Sequence, residues 1–208
     1  MSTHAQAGRK CLALLAVAAS LGGCAVGGTQ SYADAPLGLQ AVSSSGTVAV
    51  AVQDARPFVV SGAKPEKFVG LRRGGFGNPF DVSTQSGGAL ALELRDSIVA
   101  SLKGRGINAY PVTVSISDKP ADARRKLAES KARRLVLVTL TDWRSDTMMN
   151  TDLTYDVALA VFDESGRPLA TSSAKGMDSL GSSPSMSAVS TRKMDQLFGD
   201  DKVVAALK

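Results

Sequence analysis

The stretch Gly46-Thr-Val-Ala-Val-Ala-Val-Gln-Asp54 constrains this chain more than any other. Val48, Val50 and Val52 alternate with Ala49 and Ala51, so an extended backbone here is apolar on both faces. Such a strand has to be covered from both sides, which places it inside a sheet. The chain's other periodicities say what covers it. Leu90, Leu94, Ile98 and Leu102 recur every four residues within 87–104, beside Ala91 and Val99. They predict a helix, with Ser86 capping its start and Gly104 at the C′ position.

Ile107 to Ser115 alternates around Tyr110, Val112 and Val114 and reads as a second strand. Asp118 to Ala132 reads as a short basic helix with Pro120 in its first turn. Leu135 to Leu140 (LVLVTL) reads as an apolar strand running on toward Trp143. In the next stretch Leu153, Tyr155, Val157, Leu159 and Val161 alternate with smaller or more polar neighbours, giving one wet face. The turn Glu164 to Pro168 then leads into a returning strand over Leu169 to Lys175, and GSSPS over 181–185 is a linker. Two helical pieces, Met186 to Phe198 and Asp200 to Leu207, are broken at Gly199. The order β-α-β-α-β-β-β-α predicts one α+β domain over 46–208, a mixed sheet with helices mainly on one face.

Before that domain the composition changes. Arg9 and Lys10 precede an apolar run, Cys11 to Leu21, that is eleven residues long. A membrane-spanning helix needs about 20, so the run reads as the core of a secretory signal. It closes on Leu21-Gly22-Gly23-Cys24, which resembles the lipobox of bacterial lipoproteins. That resemblance implies cleavage after residue 23 and acylation of Cys24, with palmitate-type chains holding the protein on a membrane. Two or three chains anchor stably because each buried methylene contributes about 0.8 kcal/mol. Ala25, where such lipoproteins carry Asp when retained in the inner membrane, implies the outer membrane of a Gram-negative cell. Residues 24–45 are rich in Gly, Ala, Ser and Gln and read as a flexible tether spanning about 25 Å root-mean-square.

Removing residues 1–23 also changes the chemistry. The 208-residue chain has 24 basic and 19 acidic residues. Without Arg9 and Lys10 the balance is 22 against 19, or +3. So small an excess, in the periplasm, offers nothing to nucleic acid. The one histidine, His4, and Cys11 are lost with the signal. A Ser-His-Asp or Cys-His site needs an imidazole, and zinc normally takes Cys or His ligands. The expectation is therefore no metal, no cofactor and no enzymatic activity. Only a carboxylate pair or a Ser-Lys dyad remains open to an enzyme.

The lipobox, the VAVAVQD strand, the LALELRDSIVASLKGRG helix and the DWRSDTMMNTDLTYDVALAVFD hairpin together resemble small outer-membrane lipoproteins of the YajG type. They resemble more loosely the α/β lipoprotein domains that assist envelope machines. The resemblance implies a periplasm-facing binding or assembly module with an envelope protein partner, and it carries no catalytic residue with it.

Regular periodicity leaves 55–87 unexplained, and that segment is the candidate binding loop. Its Arg72, Arg73, Phe76, Asn78 and Phe80, with glycines 74, 75 and 77, combine forked donors, apolar contact and a backbone free to bend. It suits an anionic or amphipathic partner. The alternative is a surface loop whose phenylalanines plug the core. Arg124, Arg125, Lys126, Lys131, Arg133 and Arg134 form a second basic cluster, for which a solvated face is the simpler reading. Asp142, Asp146, Asp152 and Asp156 line the expected hairpin without calcium-loop spacing, and Met148 with Met149 fall at its tip. Two rival functions remain: a lipid or envelope-glycan carrier, which needs an apolar pocket beside the loop, and a carboxylate hydrolase, which needs two acids converging in a cleft.

Overall fold

The computed structural model describes residues 27–32, 37–38 and 46–208. The signal segment, the lipobox and Cys24 lie outside the described residues, as do 33–36 and 39–45 of the expected tether. The strands are β1 (Thr29–Gln30), β2 (Thr47–Asp54), β3 (Phe68–Arg73), β4 (Pro79–Thr84), β5 (Asn108–Pro111), β6 (Arg134–Thr147), β7 (Thr151–Asp163) and β8 (Pro168–Ser179). The helices are α1 (Pro57–Val60), α2 (Leu90–Gly104), α3 (Pro120–Glu129), α4 (Met186–Phe198) and α5 (Asp201–Leu207). The expected α+β class is the observed one: a mixed eight-stranded sheet with α2, α4 and α5 sharing one core on one face and α3 on the other.

The long strand β6 organises the sheet. One of its edges pairs with β7 along its whole length, and β8 follows as the outer strand. The other edge forks. The first half of β6 pairs in parallel with β2, from Val48 beside Arg134 to Asp54 beside Leu140, and β5 lies outside β2. The second half pairs in parallel with β3, from Gly70 beside Ser145 to Arg72 beside Thr147, and β4 and then β1 lie beyond it. Between the two halves the β6–β7 register slips between Leu140 and Asp142. A bulge of one residue reverses the side-chain alternation. Val136, Val138 and Leu140 therefore face the larger core before the slip, and Trp143 faces it after.

Arg56 fills the notch of the fork. It is wholly buried, and its Nε and Nη2 donate to Oδ1 and Oδ2 of Asp54 at 2.8 and 2.6 Å. Its Nη1 donates to the carbonyls of Phe68 (2.7 Å) and Trp143 (3.1 Å), and Nη2 also reaches that of Glu66 (3.2 Å). One side chain thus satisfies carbonyls at the start of β3 and in the middle of β6.

Several expectations change. The 55–87 segment is not a long loop: it holds α1 and the β3–β4 hairpin, and Gly74 to Asn78 is only the turn between strands. The six residues of β3 show no alternation: Phe68 to Gly70 are buried and Arg72 and Arg73 exposed, with β4 along one edge and β6 beside Gly70 to Arg72 on the other. The expected tether is not free where it is described. Thr29 and Gln30 pair with Ser83 and Thr84, Tyr32 is buried, and the Leu37 amide donates to Ser101 Oγ at 2.9 Å. The strand expected over 107–115 is confined to Asn108–Pro111, although the Val112 amide still donates to the Val50 carbonyl of β2 at 2.8 Å. Ser86 does not cap α2. Ala89 holds the N-cap position, while Ser86 Oγ accepts from the Gly88 amide and donates to Glu93. The residue beyond α2 that takes positive φ (78°) is Gly106, not Gly104.

Candidate functional site

The candidate residues gather at one end of the sheet. Because β3 and β6 run parallel, their following turns, 74–78 and 148–150, leave the sheet side by side. Arg73, at the end of β3, grips Asp146 of β6 through Nε at 2.8 Å and Nη2 at 2.5 Å. This fork ties the two hairpins together near their tips, and it holds the Arg73 guanidinium firmly protonated. The Gly74 amide donates to the Asn78 carbonyl at 2.9 Å, and Gly77 turns with φ at 79°. Those two features close the turn, which presents Phe76 fully to solvent. Phe80 is half-buried and packs beneath Gly74, where a Cβ would approach its ring to 3.0 Å. Of the two aromatic residues, then, Phe80 supports the turn and Phe76 is free to make contact. Arg72 is exposed and makes no ion pair among the described residues.

Beside the tips lies a cleft of about 390 Å³ lined by Leu71, Arg73, Arg144, Asp146, Asp152 and Met177, among others. Asp146 and Asp152 are cross-strand partners, so two acids do converge there. Both oxygens of Asp146 are already engaged by Arg73. The charged lining is not the apolar pocket that a lipid carrier needs. Of the other hairpin acids, Asp156 is paired, whereas Asp142 Oδ1 is buried without a hydrogen-bond partner among the described residues and has Arg144 Nε only at 3.6 Å. Asp142 and Asp156 stand opposite one another, and Lys175 Nζ donates to Asp156 at 2.7 Å. No group of three metal-ligating side chains occurs among the described residues.

Comparison with known proteins returns structures only. No family model matches the sequence, and no curated protein does. The PelC dodecamer from Paraburkholderia phytofirmans is similar at 13% identity and a TM-score of 0.46, over 74% of this chain and 86% of that one. A Xanthomonas campestris protein of the family-model DUF330 is similar at 10% identity and 0.43, over 88% and 90%. A Neisseria meningitidis lipoprotein is similar at 16% identity and 0.32, over 70% and 96%.

Three of the six residues of the second basic cluster are held by partners. Arg125 pairs with Asp122 and lies within reach of Glu129, Lys126 Nζ donates to Asp118 at 2.6 Å, and Arg134 Nε donates to the Ala206 carbonyl at 2.6 Å. The Lys126 ammonium, with the Ser115 amide, holds the Asp118 carboxyl below its ordinary value. Met148 and Met149 are exposed at the β6–β7 tip, whereas Trp143, five residues earlier, is fully buried. No described helix is long and apolar enough to cross a membrane.

What sequence reasoning missed is the N-terminal docking. Tyr32 is inserted beside Trp143 with the rings edge to face at 6.2 Å, and Trp143 Nε1 donates to its hydroxyl at 3.2 Å. Burial drives the Tyr32 phenol well above its usual titration range. Tyr32 and Leu37, large apolar side chains in a Gly/Ala/Ser-rich segment and both buried, are the available signal.

Proposed function

We propose that this protein is a lipoprotein of the YajG type, held through acylated Cys24 on the outer membrane and facing the periplasm. It acts there as a non-enzymatic binding or assembly module. The observation that carries the reading is Leu21-Gly22-Gly23-Cys24, placed three residues before Gly27, where the described structure begins. The absence of histidine and of a second cysteine after residue 23 supports a binding role over a catalytic one. The contact surface is the β3–β4 turn, with Phe76 foremost and Arg72 beside it.

Metabolic labelling with an alkynyl fatty acid tests this, combined with density separation of inner and outer membranes. The expected result is a labelled protein in the outer-membrane fraction, with label and membrane association both lost in Cys24→Ser. A soluble, unlabelled wild-type protein would overturn the reading.

A further inference from the structure

The three most exposed large apolar side chains among the described residues are Phe76 (99%), Met149 (81%) and Met177 (70%), with Met148 next at 61%. All four belong to the same end of the sheet. Phe76 tips the β3–β4 hairpin, Met148 and Met149 tip the β6–β7 hairpin, and Met177 lies opposite Thr154 in the part of β8 nearest those tips. Exposed apolar side chains clustered in this way mark a contact surface.

The N-terminal chain arrives at this end too. β1 runs parallel to β4, with Thr29 beside Ser83, and Gly27 lies so close to the Asp81 carbonyl that a Cβ would clash with it. β4 leads away from the hairpin tip, so β1 also does, and stepping back from Thr29 to Gly27 moves toward the tip. Cys24 stands three residues before Gly27, a reach of about 11 Å even when fully extended. Acyl chains on Cys24 therefore bring the bilayer to the end of the sheet that carries the exposed apolar residues.

We propose that the hairpin tips are a bilayer-contacting face, with Phe76, Met148 and Met149 inserted at the boundary between headgroups and acyl chains. This rests on the lipid-anchor reading above and names the partner of the same surface. Methionine suits the role because its unbranched, polarisable side chain adapts to a disordered medium, and an aromatic ring sits well at that depth. Charge contributes little. Arg73 and Asp146 cancel, Arg144 leans on Asp142, Asp152 adds a negative charge, and among the described residues at these tips Arg72 is the cation left to meet a lipid phosphate. Apolar insertion adds a second attachment to the acyl anchor and fixes the domain's orientation.

The mature chain has no cysteine besides Cys24, so an introduced cysteine accepts a fluorophore uniquely. The full-length acylated protein carrying Phe76→Cys, Met149→Cys or, as a control, Glu164→Cys at the far end of the sheet is reconstituted into vesicles. These contain phosphatidylethanolamine, phosphatidylglycerol and brominated phosphatidylcholine. Probes at 76 and 149 are expected about 5–10 Å into the boundary, with quenching about twofold or more above that at 164 and unchanged by high salt. Protein that floats with the vesicles while 76 and 149 are quenched no more than 164 overturns the bilayer face but spares the anchor. So does reproducible photocrosslinking of position 76 to a protein in place of lipid. Protein that neither floats nor carries an acyl group overturns the anchor, and this proposal with it.

Discussion

Arg56 and Asp54, two residues apart, form a forked ion pair that is buried on both sides, at 2.6 Å for Nη2 to Oδ2. The pair sits where β2 ends and β3 has yet to begin along β6, so it fastens the two halves of the sheet together. Removing either partner strands the other charge without water. Arg56→Ala and Asp54→Asn should each lose about 3–5 kcal/mol, read from the urea midpoint. Arg56→Lys keeps the charge but lacks the planar fork and should fall in the same class. Losses of about 1 kcal/mol or less, as for exposed pairs, would contradict this account.

The Tyr32–Trp143 contact joins the N-terminal segment to the middle of β6. Tyr32→Phe leaves the buried Trp143 Nε1 with no acceptor and should cost about 1–3 kcal/mol. Tyr32→Ala also opens a cavity and should cost about 3–5 kcal/mol. Limited proteolysis separates local from global effects. In the alanine variant, cleavage before residue 46 should speed up more than cleavage within 46–208. Equal acceleration in both regions would show that the segment is not a separately docked strap.

These relationships explain how much of the fold could be read from the sequence. β2, α2, α3, β6, β7, α4 and α5 were legible because each carries its own apolar period over eight or more residues, or a Pro, Ser or Asp at its start. β3 and β1 were not, because each needs a partner far along the chain, Gly70 beside Ser145 and Thr29 beside Ser83, and β4 is a short strand held against β3 across the 74–78 turn. Arg56 lies in the 55–87 segment that regular periodicity leaves unexplained, and its burial is unusual for arginine. Only the fork in the sheet, which no local pattern encodes, makes burial possible. At the site, the glycines near Phe76 marked a backbone free to bend, but within an expected long loop and not as the turn of a hairpin. That Phe76 faces solvent while Phe80 supports the turn follows from register alone.

Gly70 is needed for the approach of β3 to β6. A Cβ at this position would run into the Ser145 side chain and into its backbone amide and carbonyl. Gly70→Ala should therefore push β3 off β6, costing about 1–3 kcal/mol as an overpacked site does. Because the backbone of Ser145 is part of the clash, Ser145→Ala should not rescue it. Full recovery in the double variant, measured by denaturant titration, would show that the side chain alone sets the spacing.

Asp163 closes the β7–β8 turn. Ser165 Oγ donates to its Oδ1 at 2.6 Å, the amides of Arg167 and Ser165 donate at 3.0 Å each, and Arg167 Nε reaches Oδ2 at 3.0 Å. The Ser165 hydroxyl, with these other donors, holds the carboxyl down at about 2. In the unfolded chain it titrates near the ordinary value of about 3.9. The folded state therefore favours the charged form. The resulting stabilisation is complete above the unfolded value and is lost as pH falls through the interval toward about 2. Stability measured across that interval should decline in the wild type. In Asp163→Asn it should decline less steeply, because one carboxyl with a lowered pKa is gone. Ser165→Ala, which removes the strongest donor, should fall between the two. Identical acid slopes for all three proteins would mean that the turn's hydrogen bonds do not distinguish the charged carboxylate from the neutral acid.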